Sequence, residues 1–237
     1  MSVYFITGTD TGSGKTLITS ALLALANRQG MTTLGLKPLA SGCRPTENGL
    51  RKDDALILQA LSVPRPDYDT VNPYAYEPYI APHLAAAQQG ASWSVNDLIR
   101  ATAEPLATRR DLILIEGAGG WRVPLNEDED LAGLARRLKL PIILAVGLQL
   151  GCLNHARLTA EAIRNDGLRI AGWVGTIIEP GISFDAKQHR DTFQGNLHSL
   201  DLTLEAPCLG IIPRLEADSP LALAEAAADH LSLPDRD

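Results

Sequence analysis

Gly8-Thr9-Asp10-Thr11-Gly12-Ser13-Gly14-Lys15-Thr16 decides how this chain is read. The apolar run Val3-Tyr4-Phe5-Ile6 before it reads as a buried strand, and the alanine- and leucine-rich residues 17–25 after it read as a helix. Strand, glycine-rich turn, Gly-Lys-Thr and helix form the setting of a phosphate-binding loop. Glycines let backbone N–H groups converge on an anion, and the helix N-terminus adds unpaired donors and the positive end of its dipole. Gly12, Ser13 and Gly14 would then wrap phosphate, Lys15 would reach the outer phosphates, and the Thr16 hydroxyl would ligate Mg²⁺, with Leu17 opening the helix. Five residues, not the usual four, separate Gly8 from Gly14. The expectation is a variant loop around a nucleotide; the plainer alternative is a glycine-rich turn followed by a surface lysine.

Composition narrows the class. The 237 residues are 45% hydrophobic, ordinary for a globular protein with a large core. A net charge of -7 argues against a broad nucleic-acid or anionic-membrane footprint, though not against a local basic pocket. Cys43, Cys152 and Cys208 are too few and too scattered for a disulfide framework or a zinc site, so they are expected as packing residues in a reducing compartment. The chain enters a strand almost at once, and its longest apolar run, residues 141–150, is too short to span a bilayer. A cytoplasmic protein is expected.

Farther along, residues 33–39 read as a second strand that Pro38 should stop, with 40–42 as a loop. Asp53 and Asp54 open a helical stretch over 55–61, where acidic side chains suit the dipole. Residues 63–82, with five prolines and four tyrosines and no period, read as an irregular excursion. A helix starting at Trp93-Ser94 should bury Val95, Leu98, Ile99, Thr102, Ala103 and Leu106. Strands are expected at 111–115, 142–146, 170–178 and 209–212. Helices are expected at 131–138, 151–165, 184–197 and 220–231, with a turn at 147–150 and a loop at 179–183. Near-continuous apolar strands alternating with helices predict a mostly parallel sheet covered on both faces, in one α/β domain spanning 1–237.

Ligands of such sheets gather beyond the carboxyl ends of the strands. There lie the loop 11–16, Lys37 and Ser41 after the second strand, Glu116-Gly117-Ala118-Gly119 after the central apolar strand, and Gly151-Cys152-Leu153-Asn154. Glu116 is read as a Mg²⁺ ligand rather than a solvated carboxylate, joined by Thr16 and Asp54. Lys37 would place a second positive charge beside Lys15, suited to phosphoryl transfer, rather than snorkel from a strand end. Gly151 to Asn154 could receive a carboxylate at a helix N-terminus, or be an ordinary turn with Asn154 as a local cap; spacing alone leaves both open.

Together these segments resemble the dethiobiotin synthetases. The matches are the loop at 8–16, Lys37-Pro38-Leu39-Ala40-Ser41-Gly42, Asp53-Asp54-Ala55-Leu56, Val71-Asn72-Pro73-Tyr74, Ala81-Pro82-His83, Glu116-Gly117-Ala118-Gly119-Gly120 and 147–159. The resemblance covers about the first 180 residues in order. It implies a single-domain P-loop NTPase fold and a homodimer that uses ATP and Mg²⁺ to convert 7,8-diaminononanoate and CO₂ (or bicarbonate) into a cyclic urea. The implied route runs through a carbamate and a carbamic–phosphoric anhydride. It further implies Lys15 and Lys37 as catalytic residues, Thr16, Asp54 and Glu116 as Mg²⁺ ligands, and Thr11 and Ser41 at the carbamate. Leu148, Leu150, Gly151, Cys152 and Asn154 would take the substrate carboxylate from across the dimer. Gly117, Ala118 and Gly119 would lie by the phosphates. The base would lie near Thr176, where the best-known relatives carry an adenine-reading Asn, and near Pro213, Arg214 and Leu215.

Two rivals share the loop. A switch ATPase of the positioning type would need a lysine early in the loop, where Thr9 and Asp10 stand, and usually a basic or amphipathic tail. A glutamine-using relative of cobyrinate synthesis would need a further glutaminase domain.

Overall fold

Consecutive residues of β1 (Ser2–Gly8) serve opposite faces: Tyr4 and Ile6 pack into one core, Phe5 into the other. The computed structural model describes residues 1–178 and 187–235. After β1 come α1 (Lys15–Arg28), β2 (Thr33–Leu36), β3 (Leu39–Ala40), β4 (Arg44–Thr46), β5 (Gly49–Arg51) and α2 (Asp53–Leu61). Then follow α3 (Tyr68–Val71), β6 (Tyr74–Ala75), α4 (Pro82–Gln88), α5 (Val95–Ala107), β7 (Leu112–Glu116) and α6 (Ala132–Leu138). The chain continues through β8 (Ile142–Leu148), α7 (Cys152–Asn165), β9 (Ile170–Ile177), α8 (Lys187–Leu204), β10 (Cys208–Ile212) and α9 (Pro220–Ala228).

Six strands form one sheet in the order β10-β9-β8-β1-β7-β2, every pair parallel. On one face α1, α2 and α9 bury Ile18, Leu22, Leu58 and Ala227 against Ile6, Leu114 and Ile143. On the other, Leu98, Leu134, Ala156 and Leu200 from α5, α6, α7 and α8 cover Phe5, Ile113, Ile115 and Leu144. Both faces dry explains the strands' unbroken apolar character. Among the described residues no helix is long and apolar enough to cross a membrane.

The differences from expectation cluster after β2. Instead of one strand over 33–39, the ladder stops at Leu36: the Lys37 N–H donates to Val71 O (2.8 Å), and Pro38 has none to offer. Leu39–Ala40 then pairs in parallel with β6, so Ala40 belongs to a strand and not to a loop. Residues 63–82 hold a single helical turn and β6, both dependent on distant partners. The β4–β5 hairpin and α4 carry too weak a local pattern to announce themselves. In α5, Pro105 is buried and Ala103 exposed, because the buried stripe drifts toward the helix end.

At the far end, β8 extends through Leu148, and α9 stops at Ala228 rather than at 231. The loop expected at 179–183 and the start of the helix expected at 184 lie outside the described residues; from Lys187 the helix runs on to Leu204. Cys43 and Cys152 are buried as expected, but Cys208 is exposed at the start of edge strand β10.

Candidate active site

The turn between β1 and α1 is held from beneath. Thr9 N–H donates to Ala145 O (2.9 Å), tying the loop to β8, and a Cβ on Gly147 would lie 3.3 Å from Ser13 Cα. Gly14 caps α1 at φ 89°, and a Cβ there would sit 2.5 Å from Thr176 Oγ1, so both conformation and space demand glycine. Lys15 and Thr16 thus leave the first turn of α1 with their side chains toward the carboxyl ends of β7 and β2.

There the charges meet. Glu116 ends β7 with its side chain wholly buried, and its Oε1 accepts from Lys37 Nζ (2.6 Å) and Thr16 Oγ1 (2.9 Å). Lys37 Nζ lies 3.3 Å from Asp54 Oδ2 in the first turn of α2 and 3.4 Å from Gly117 O. The Lys37 backbone is clamped as well: Asn72 Nδ2 donates to its carbonyl (2.7 Å), and Tyr68 Oη holds Asn72 Oδ1 (3.0 Å). Burial pulls the Lys37 ammonium toward neutrality, but the charges of Glu116 and Asp54 outweigh it and hold its pKa above the ordinary lysine value. For Lys15, burial and then the neighbouring Lys37 win, lowering its pKa to about 8. Its Nζ bonds to Asp10 O at 2.9 Å.

Three polar atoms here are buried without a partner among the described residues: Glu116 Oε2, Ser13 Oγ and Thr176 Oγ1. An orphaned carboxylate oxygen is costly unless a ligand completes it. Glu116, Thr16 and the partly exposed Asp54 together offer hard oxygen donors from few residues, which fits Mg²⁺ sharing its remaining positions with water and phosphate.

A cavity of about 700 Å³ opens over this cluster. Of the anticipated residues it is lined by Thr11, Gly12, Gly14, Lys15, Thr16 and Leu17, by Lys37, Ser41 and Asp54, and by Glu116, Ala118 and Gly119. Ser13 and Gly117 sit behind it. Thr176, at the end of β9, presses against Gly14 rather than facing the opening. Pro213, Arg214 and Leu215 follow β10 outside the lining, with Leu215 packed on the α1 side of the core.

The 148–154 turn also lies apart from this cavity. Leu148 and Cys152 bury their side chains in the core, Gly151 caps α7 at φ 93°, and Asn154 is exposed and is not the cap. What this turn presents outward is the exposed Leu150 and Asn154 with the first turn of α7. Lys52, Tyr79 and Arg122 line the cavity without having been singled out from sequence. A lysine before two aspartates reads as surface, and the path of residues 76–82 depends on pairing with 40–43.

A family model described as an AAA domain matches residues 2–220. The chain is 65% identical to an ATP-dependent dethiobiotin synthetase of Chromohalobacter salexigens over 234 residues, 99% of each chain. It is 50% identical to the ATP-dependent dethiobiotin synthetase of Cellvibrio japonicus, covering 97% of this chain and 95% of that one. Among solved structures it is similar in fold to a chain of the MinC:MinD cell division protein complex of Aquifex aeolicus. That likeness has a TM-score of 0.54 at 15% identity, over 96% of this chain and 86% of the other.

Proposed function

The chain belongs to the family of the ATP-dependent dethiobiotin synthetases, and from that we propose that it closes a ureido ring on 7,8-diaminononanoate with CO₂, ATP and Mg²⁺. It is a ligase of biotin synthesis. One amine takes up CO₂, forming an N–C bond and releasing a proton, to give a carbamate. A carbamate oxygen attacks the γ-phosphorus and ADP leaves. The second amine then attacks the carbonyl carbon of the mixed anhydride, and phosphate departs with the oxygen that had attacked phosphorus.

One observation carries this reading: two buried lysines and an orphaned carboxylate oxygen surround a single cavity whose lining, among the described residues, includes no cysteine or histidine. A substrate that supplies its own nucleophile requires only positioning and charge neutralisation from the protein. Lys15 draws the outer phosphates, and Lys37, held by Glu116 and Asp54, faces the transferring group. Thr16, Glu116 and Asp54 would hold Mg²⁺, which when bound supplies further neutralisation of phosphate charge. Thr11 and Ser41 hold the carbamate end. The turn from Leu148 to Asn154 receives the carboxylate of substrate bound in the other subunit of a homodimer, which accords with its distance from this chain's own cavity. The base of the nucleotide lies toward Thr176 and Pro213 to Leu215. Residues 1–237 act as one domain around the single large sheet.

The test is phosphate release from ATP, Mg²⁺ and bicarbonate, with and without the diamine, with the product followed by mass spectrometry. Release that requires the diamine and matches cyclic urea formation is expected. Release indifferent to the diamine would instead favour a switch ATPase, a reading to which the MinD likeness adds fold alone.

A further inference from the structure

Among the described residues four cationic side chains line the cavity, and two are already neutralised. Lys37 is paired with Glu116 and Asp54, and Arg122 with Asp130 and Asp166. Lys15 and Lys52 form no ion pair among the described residues; each ammonium donates instead to a backbone carbonyl, Asp10 O at 2.9 Å and Gly42 O at 3.3 Å. Lys15 belongs to the phosphate loop. Lys52 has no such assignment.

Its position is also locally unfavourable. Lys52 is the N-cap residue of α2, it makes no capping hydrogen bond, and its charge lies at the positive end of the helix dipole. Nothing in helix stability asks for lysine there, and departures from local preference gather at functional sites. The backbone is fixed, since Lys52 N–H donates to Tyr68 Oη (2.8 Å). The side chain runs to the turn that carries Ser41, where Gly42 adopts φ 68° and Tyr79 packs so closely that a Cβ on Gly42 would lie 2.4 Å from the ring. Tyr79 lies 5.7 Å from Lys52 Nζ and is itself 81% exposed. Ser41, Tyr79 and Lys52 therefore make one wall of the cavity, backed by Gly42, with a single uncompensated positive charge in it.

We propose that Lys52 is a substrate-binding cation that receives the carboxylate created when CO₂ adds to the substrate amine, next to Ser41. This rests on the ring-closing reading above. The uptake step turns a neutral gas and an amine into an anion; a fixed cation at that wall holds the anion against loss of CO₂ until phosphoryl transfer.

Steady-state kinetics of Lys52→Met and Lys52→Arg, varying bicarbonate, diamine and ATP in turn, tests it. Lys52→Met, which keeps the stem and removes the charge, should raise KM for bicarbonate about tenfold while KM for ATP stays within about twofold. Lys52→Arg should return the bicarbonate KM to within about threefold of the parent. An unchanged bicarbonate KM in Lys52→Met overturns the proposal. So does a parallel rise in the ATP KM, which would mean a merely structural wall, or an Arg variant as impaired as the Met variant. Those outcomes leave the ring-closing reading intact provided the parent protein makes the cyclic urea; a parent that makes none removes both.

Discussion

Lys37 and Glu116 occupy a place where neither tolerates being alone. Glu116 is fully buried and Lys37 nearly so, 2.6 Å apart, and a buried pair costs far more to break than it contributes when made. Glu116→Ala leaves the ammonium with only the partly exposed Asp54, so stability to urea should fall by about 3 kcal/mol. Lys37→Ala removes the charge that the proposed mechanism sets against the transferring group. Turnover should drop by at least about 10²-fold while nucleotide binding, followed by calorimetry, is largely retained; near-normal turnover would take Lys37 out of the mechanism. Lys37 could be seen in the sequence because a lone lysine inside an apolar strand, just before a proline, has no packing reason to be there. Asn72, which clamps its backbone, and Lys52 could not be weighed in the same way, since their significance lies in partners 35 and 10 positions away.

Elements announced themselves in proportion to how local their causes are. The six sheet strands are short apolar runs between turn signals; five lie within two residues of their expected ends, and only β2 stops three residues short, at Leu36. The β3–β6 ladder, by contrast, is two residues long on each side and exists only because the chain folds residues 76–80 back along 40–43. Helix α5 shows a local cause clearly: Ser94 Oγ accepts from Asp97 N–H, and the Asp97 carboxylate reaches back to Ser94 N–H (2.9 Å). Ser94→Ala should cost about 1 kcal/mol at neutral pH. Hydrogen bonds from the Ser94 hydroxyl and N–H hold the Asp97 carboxyl below its usual range. The folded state thus binds this proton less readily than the unfolded one. Its stabilisation is complete above the unfolded carboxylate pKa and is lost as pH falls through the lower folded value. Urea midpoints of parent and Ser94→Ala should therefore converge on acidification from pH 7 to pH 3. An undiminished gap would show that Asp97 is not the linked group.

At the scale of the molecule, the sheet does one thing for the site: it brings the ends of β1, β2 and β7 together, so that residues a hundred positions apart share one polar cluster. The same sheet underlies the MinD likeness, which is why fold alone could not separate a ring-closing ligase from a switch ATPase. The separation comes from sequence: Thr9 and Asp10 stand where the switch ATPase needs a lysine, and the chain is 65% identical to a dethiobiotin synthetase along nearly its whole length. Because nucleotide binds only the folded site, ATP with Mg²⁺ at about 100 times its Kd should add about 2.7 kcal/mol and raise Tm by roughly 5–10 °C. Chelating Mg²⁺ should remove much of that shift if Glu116, Asp54 and Thr16 hold the ion. The most direct measurement follows oxygen. Under single-turnover conditions with freshly dissolved [¹⁸O]bicarbonate, the carbamate oxygen that attacks phosphorus leaves with phosphate, so the phosphate should carry one ¹⁸O per cyclic urea formed. Phosphate without label, accompanied by the same urea, would contradict activation of a carbamate by phosphoryl transfer.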